Sequence, residues 1–411
     1  MFASRSVVSV RGCRVSRTGG NALFVSHAAR DVALEDNEVG PGIGDSAVAV
    51  VGSLVRSSGL GGRNFPLRVS IARNHIHDIG VYGKQVSGVY ISVAGFVNVS
   101  DNTIHGAPSS GIKTDDTFVG GHRLEYNHIY DTTREVTDMG PINIHNRDRF
   151  YVAGDMPVFQ KQNATQSKTH WDEFPAPFPR GPISVDAMHP TIVRGNVLRS
   201  QRRSGAVGVP GEWWGVQNTL TCVDLDDGGT RYEIYENVCI ANGTQGYKLG
   251  HGIDDINYHN NILVTLSQGA PMTRGVTQTN TIGVSGSGMN VKNNTCRFVG
   301  NVIAKLDAAN DTVPYLVNNY DAKNTARRVP YSVVDNNVYF AAGSTVATLH
   351  SRADWLAAGL DAHSLWDVDP LLLNADAATN PNFPFGIKLG AGSPAFALGF
   401  HNFAYGPRQS S

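Results

Sequence analysis

The chain has 411 residues, of which 41% are hydrophobic and 17% charged, so it can bury a sizeable core and is not a disordered protein. Its formal net charge of -1 gives no broad attraction to nucleic acid or to an anionic membrane, and no apolar run is long enough to span a bilayer. The 45 glycines and 32 asparagines favour turns over helices, which predicts many short strands.

The N-terminal residues read directly as a strand and lack the continuous apolar segment of a signal peptide. We expect an extracellular or secretory-pathway protein whose N-terminus is truncated in this sequence, with an intracellular protein as the alternative. Cys13, Cys222, Cys239 and Cys296 are far apart and form no CxxC pair. We therefore expect four small buried side chains and no zinc cage.

A short sequence motif, called the asparagine phrase, recurs along the chain. In it an asparagine follows strand-like residues, and an aliphatic or similar side chain stands two positions after the asparagine. Nine copies share this pattern, and they begin at Asn37, Asn74, Asn102, Asn127, Asn196, Asn237, Asn261, Asn301 and Asn337. Cys13 occupies the same position in a degenerate first copy. The shortest spacings between copies are 24 to 25 residues, and longer ones indicate coils with inserted loops.

A period of about 24 residues with β-branched neighbours predicts an all-β, right-handed parallel β-helix with three strands per coil and about ten or more coils. Leucine-rich repeats share the period but require leucines at fixed offsets, which are missing. We expect each asparagine to lie at a left-handed bend and to hydrogen-bond the equivalent asparagine one coil away.

The repeat divides the chain into two parts. Residues 1–343 are predicted to form the β-helix, with insertions at 147–190 and 201–218. Residues 344–411 leave the repeat and are predicted to cap the open end of the coil stack, with a short amphipathic helix around Trp355.

Aligning the strand that follows each asparagine phrase predicts two inward columns of side chains. Ile112, Ile142, Val223 and Tyr247 form one column, and Thr114, Ile144, Leu225 and Leu249 form the other. The residues between them are polar and are predicted to face outward. One row reads Lys113, Asn143, Asp224 and Lys248, the next reads Asp115, His145, Asp226 and Gly250, and the turn beyond adds Asp116, Asn146, Asp227 and His251.

Stacked carboxylates in these rows point to glycoside hydrolysis, because neighbouring strands are only about 4.8 Å apart. Carboxyl groups about 5 Å apart suit a retaining mechanism and those 6.5–9.5 Å apart an inverting one. Asp224 and Asp226 lie on one strand face, and Asp115 and Asp226 are two coils apart, near the upper limit. Crowding should raise the pKa of one carboxyl, while Lys113 or Lys248 keeps another ionised.

Other interpretations remain open for the same residues. The sequence from Asp226 to Gly229 is also an ordinary turn, and polar outer rows are common on β-helices. Carboxylates with His145 and His251 leave calcium or zinc binding open, although no ligand spacing is diagnostic, and we expect no cofactor. Trp213 and Trp214 are candidates for stacking on sugar rings or for packing on the helix wall.

At these residues the sequence resembles right-handed β-helix repeat proteins of the pectin-lyase-like superfamily, especially glycoside hydrolase families 141 and 120. The resemblance rests on residues 131–140 with residues 146–150, on residues 224–237, and on tail segments around Trp355, Gly359, Asp369 and Gly392. It implies that Asp138 and Asp226 are at carboxylate positions and that Asp224 is at a nucleophile position. Met139 and Lys248 depart from the family pattern, which has histidine and glutamate there.

The sequence thus predicts a monomeric carbohydrate-active protein, with neither nucleic acid nor membrane as a partner. We expect Asp226 or Asp224 to act as nucleophile or base and Asp138 or Asp115 as acid. His145 is expected to assist them. Substrate contacts are predicted for Lys248, His251, Lys113, Asn143, Asp227, Trp213 and Trp214. A polysaccharide lyase or uronate epimerase, and a non-catalytic carbohydrate-binding or surface structural protein, are the alternatives.

Overall fold

A computed structural model shows an all-β, right-handed parallel β-helix. The structure describes the following residues: 8–53, 64–116, 119–136, 139–145, 187–201, 221–226, 229–242, 247–249, 254–266, 282–284, 296–306, 331–343, 345, 352–357, 359–380 and 384–408.

Most of the described strands form three parallel sheets, each of which takes one strand from successive coils, and Leu372–Leu373 and Lys388–Leu389 form a separate antiparallel pair in the C-terminal segment. The first sheet contains β1 (Val8–Arg11), β4 (Arg30–Glu35), β7 (Leu67–Ala72), β10 (Asn98–Ser100), β13 (Arg123–Glu125), β16 (Thr191–Arg194), β19 (Thr230–Tyr235), β22 (Asp254–His259), β25 (Cys296–Val299) and β27 (Tyr331–Asp335).

The second sheet follows the first at each bend. It contains β2 (Arg14–Val15), β5 (Glu38–Val39), β8 (His75–His77), β11 (Thr103–His105), β14 (His128–Ile129), β17 (Val197–Gln201), β20 (Val238–Asn242), β23 (Ile262–Leu266), β26 (Val302–Lys305), β28 (Val338–Ala341) and β29 (Leu365–Trp366).

The third sheet carries the predicted polar rows. It contains β3 (Leu23–Ser26), β6 (Val48–Val51), β9 (Val89–Ser92), β12 (Ile112–Asp115), β15 (Ile142–His145), β18 (Val223–Leu225), β21 (Tyr247–Leu249) and β24 (Ile282–Val284). Alternate residues of all three sheets meet inside the coil in one continuous hydrophobic core, which includes Ile112, Ile142, Val223 and Tyr247. The first predicted inward column is therefore confirmed.

The asparagine phrases form a continuous buried ladder between the first two sheets. Each side-chain amide nitrogen donates to the side-chain oxygen of the asparagine one coil further on, at 2.9–3.2 Å, from Asn37 to Asn337. Asn337 ends the series by donating to Asp361, and the backbone N–H of Cys13 donates to Asn37 at the other end. The predicted ladder is confirmed, including the degenerate first copy.

The left-handed bend lies one residue earlier than expected. The residues with positive φ are those just before the ladder asparagines, for example Asp36 (59°), Asp101 (59°) and Asn336 (57°). Asp101 is followed by Asn102, whose own side chain is buried and engaged in the ladder. The ladder residue is thus selected for its amide, because its hydrogen bonds satisfy buried backbone groups of the neighbouring coils.

Two of the four cysteines are bonded to each other, a pairing that the expectation of four small buried side chains did not include. Cys222 precedes β18 and Cys239 lies in β20, and their sulfurs form a disulfide with the α-carbons 5.9 Å apart. Both residues are buried in the core. Cys13 is exposed, contrary to the expected burial, whereas Cys296 is buried as expected.

The C-terminal segment lies in two places. A short helix, α1 (Arg352–Ala357), precedes β29, and Trp366 of β29 packs on Tyr339 at 4.4 Å between ring centroids. The remainder folds back along the outer face of the second sheet, where its apolar side chains form a second hydrophobic cluster with the outward residues of β20, β23 and β26. Only the first part lies at the end of the second sheet, as a cap would.

The folded-back tail is fastened at its far end by Arg408. Its guanidinium donates to both carboxylate oxygens of Asp101, at 2.7 and 2.8 Å, and lies 4.0 Å from the ring centroid of Tyr126. Burial raises the pKa of the Asp101 carboxyl, but the hydrogen bonds and charge of Arg408 outweigh it, so the net pKa lies below the ordinary value.

We expect this contact to stabilise the protein at neutral pH and to weaken in acid. Because the folded-state pKa of Asp101 is lowered, its contribution is present above the unfolded value of about 3.9 and is lost as the pH falls through the folded value. Arg408→Gln should therefore lower the melting temperature at pH 6, and the difference from the wild type should narrow below about pH 4. Arg297→Gln, on the exposed side of β25, is the control. A constant difference across this pH range would contradict the prediction.

Candidate functional site

The strand pairing of the third sheet places the predicted polar residues side by side. Lys113 pairs with Asn143, Asn143 with Asp224, and Asp224 with Lys248 in successive strands. In the next row Asp115 pairs with His145. Asp226 directly follows β18, and its backbone N–H donates to the carbonyl of Ile144 at 2.7 Å, which continues the same register. The predicted first row and the Asp115–His145 pairing are confirmed, whereas Asn146, Asp227, Gly250 and His251 lie outside the described residues.

Asp115 is the centre of a partly exposed cluster on this face. The Tyr90 hydroxyl donates to its Oδ2 at 2.9 Å, and Lys113 Nζ lies 3.5 Å from the same oxygen. His145 Nδ1 lies 3.6 Å from Oδ1. The side chains of Lys113, Asp115 and His145 are 12%, 15% and 22% exposed, so solvent reaches the cluster while much of each group is shielded. Shielding strengthens the attraction between the charges of Lys113 and Asp115.

Tyr90 is a member of the cluster that the sequence analysis missed. Burial, together with the adjacent Asp115 carboxylate, raises the pKa of its hydroxyl. The phenol therefore stays protonated near neutral pH and acts as a donor. The signal was available, because Val89–Ser92 alternates like the later strands and pairs with β12, placing Tyr90 beside Lys113. Tyr90 extends the first polar row by one coil, ahead of Lys113.

Two residues of the first row are buried, although the whole row was expected to face solvent. Asn143 and Asp224 have no exposed surface. They lie on the side of the sheet opposite the core, since the flanking Val223 and Leu225 belong to the core cluster. Both polar atoms of the Asn143 amide lack a hydrogen-bond partner among the described residues. Their full burial sets these two side chains apart from the partly exposed Asp115 and His145, and the substrate contact of Asn143 and the nucleophilic role of Asp224 stay predictions.

Asp226 differs from Asp224 in being partly exposed. It is two coils from Asp115 with the position of His145 between them, so their α-carbons are separated by about 9.6 Å at the usual strand spacing. Lys248 has the predicted register in β21. The other predicted site residues, Asp138, Asp227, His251, Trp213 and Trp214, lie outside the described residues.

No group of three or more His, Cys, Asp or Glu side chains in the described ranges is arranged to hold a metal ion. The suggestion of calcium at the carboxylate rows stays a prediction. Among the same residues, no helix combines the length and apolar character needed to cross a membrane.

Comparison with known proteins gives structural matches only. No family model matches the chain, and no curated protein matches it. Similar solved structures include XylC in complex with xylose, with 14% identity and a TM-score of 0.30 over 84% of this chain and 38% of that one. DFA-IIIase from Arthrobacter chlorophenolicus A6 without its lid has 11% identity and a TM-score of 0.27 over 79% of this chain and 62% of its own.

A third match is the Streptococcus pneumoniae surface protein and adhesin PfbA, with 10% identity and a TM-score of 0.31 over 76% of this chain and 78% of that one. This chain therefore spans well under half the length of XylC and less than two thirds of DFA-IIIase. Identities of 10–14% assign no activity to it.

Proposed function

We propose that this protein is a glycoside hydrolase that acts on a polysaccharide or oligosaccharide through Asp115 and Asp226. The observation that carries the proposal is their register on the outer face of the third sheet, two coils apart with His145 between them. At about 9.6 Å between α-carbons, a modest lean of the side chains brings the carboxyl groups within the 6.5–9.5 Å of inverting enzymes.

The surroundings of Asp115 favour the role of general base. A phenol, an ammonium group and an imidazole all lie within 3.6 Å of its oxygens, an arrangement suited to a carboxylate that takes a proton from water. Asp226 is then assigned the general acid that protonates the departing glycosidic oxygen. This reverses the roles expected from the sequence, in which Asp115 was a candidate acid.

Tyr90 also supports the second candidate, a polysaccharide lyase or uronate epimerase. A protonated phenol beside a lysine provides an acid and a base within one cluster, as proton removal and return at a sugar carbon require. Lys113 Nζ would be the base in that reaction. The two candidates differ in product, because hydrolysis adds water across the bond and elimination leaves a double bond.

The proposal is tested by incubating the protein with a panel of neutral and acidic glycans and following reducing ends, ultraviolet absorbance and anomeric configuration by NMR. We expect new reducing ends whose first-formed anomer is inverted, without an unsaturated product. An unsaturated product would contradict hydrolysis and support the polysaccharide lyase. Binding without turnover would instead support the non-catalytic carbohydrate-binding protein.

A further inference from the structure

Histidines gather on the outer face of the second sheet, away from the rows of the third sheet. His75 and His77 point outward from β8, and His105 from the neighbouring β11. The Nε2 atoms of His75 and His105 are 3.0 Å apart. The His77 ring stacks on both, with centroids 4.5 Å from His75 and 5.5 Å from His105.

Two imidazole nitrogens in direct contact are close enough to share a cation. The neutral imidazole nitrogen is the commonest metal ligand in proteins. Bonds of 2.0–2.1 Å at a tetrahedral angle hold two nitrogens about 3.3 Å apart. Starting from the 3.0 Å contact, the two nitrogens need to separate by about 0.3 Å, and the rings of the exposed His75 and the partly exposed His105 must turn so that both lone pairs face the ion. We propose that these two Nε2 atoms bind a divalent transition-metal ion, with Zn²⁺ as the probe.

The backbone and neighbouring charged groups hold His75 and His105 in position. His75 pairs with Thr103 and His77 with His105, so the ladder between β8 and β11 fixes the two ligands across adjacent coils. His77 Nδ1 lies 2.9 Å from Asp78 Oδ2, and its Nε2 lies 3.4 Å from Glu38 Oε1. These contacts orient the His77 ring, which stacks on both ligand rings, and bring two carboxylates close to the histidine cluster.

The coordination from the protein is incomplete, and this defines the kind of site. The described residues supply no third His, Cys, Asp or Glu placed for joint ligation. Because His75 is exposed, water or an exchangeable ligand fills the other positions. Imidazole ligands select Zn²⁺, Cu²⁺ and Ni²⁺ over the oxygen-seeking Ca²⁺ and Mg²⁺. The ion also joins two successive coils, so its binding stabilises the stack.

Calorimetric titration of the chelator-treated full chain with Zn²⁺ tests the site. We expect a binding event that His75→Ala and His105→Ala each weaken at least tenfold, whereas Ca²⁺ at the same concentrations does not bind there. His363→Ala is the matched control, since this exposed imidazole contacts a single carboxylate, Asp335. It should leave Zn²⁺ affinity unchanged. Circular dichroism of each variant establishes that the fold is retained.

A second measurement separates direct ligation from indirect effects. Electron paramagnetic resonance of the Cu²⁺ form should show coupling to two imidazole nitrogens, reduced to one in each single variant. Absence of Zn²⁺ binding overturns the proposal. Zn²⁺ affinity that is unchanged in either His75→Ala or His105→Ala also overturns it, because the ion is then not shared between the two rings.

Discussion

Asp226→Asn is expected to lower kcat about 10²–10⁴-fold on the glycan that the panel identifies, with a much smaller change in KM. Asparagine has nearly the same shape as aspartate but cannot transfer the proton, so substrate binding should persist while the departing oxygen loses its acid. Asp115→Asn should have a similar effect through loss of the base. The kcat of the double variant should fall by less than the product of the two single reductions, because both groups act in one step.

The control for this prediction is Asp31→Asn, the same replacement on the first sheet. Asp31 is exposed and paired with Arg68, away from the polar rows of the third sheet. It should retain wild-type kcat, and all three variants should keep the wild-type circular dichroism spectrum. Full activity of Asp226→Asn would remove the centre of the proposed mechanism.

Asn196→Ala is expected to lower the free energy of unfolding by about 2–6 kcal/mol. Asn196 Nδ2 donates to the carbonyl of Leu124 and to Asn237 Oδ1, at 2.8 and 2.9 Å. Its Oδ1 accepts from both the backbone N–H and the side chain of Asn127. Alanine removes the hydrogen-bond partner of the Leu124 carbonyl and of the Asn127 backbone N–H at a buried site. Each of these losses costs about 1–3 kcal/mol.

Urea denaturation measures this loss against Asn98→Ala. Asn98 lies outside the ladder, is partly exposed, and makes one side-chain hydrogen bond, to Ser100 at 3.2 Å. Its replacement should cost about 1 kcal/mol or less. Equal losses for the two variants would contradict an energetic role for the ladder.

The fold was predictable because one polar phrase recurs wherever the chain turns between the first two sheets. Each such asparagine satisfies buried backbone groups of the coils before it, so every coil needs its own copy and the sequence repeats it from Asn37 to Asn337. The path of the tail was missed, although β23 (Ile262–Leu266) is aliphatic on both faces. Such a strand is buried on both sides and requires a covering segment.

The strand register of the candidate site was predictable from the sequence, but the burial of its side chains was not. Alternation along β18 correctly separates Val223 and Leu225 from Asp224. It does not encode what covers the outer face, so the full burial of Asp224 was not foreseen. The Cys222–Cys239 pairing was equally hidden, since Cys222 precedes a strand of the third sheet while Cys239 lies in the second, and the two side chains meet only in the interior.

The fastening of Arg408 to Asp101 has a consequence for how the molecule comes apart. In a simple solenoid each coil contacts only its neighbours, so melting can begin at one end and spread. Here the C-terminal tail packs on β20, β23 and β26, and its Arg408 also hydrogen-bonds Asp101, which lies 307 positions earlier in the chain. The coils between these two residues cannot unfold without breaking the Arg408–Asp101 contact. This contact therefore couples the coils into one cooperative unit. The contact can form only after those coils have stacked, so its closure belongs to the last stage of folding.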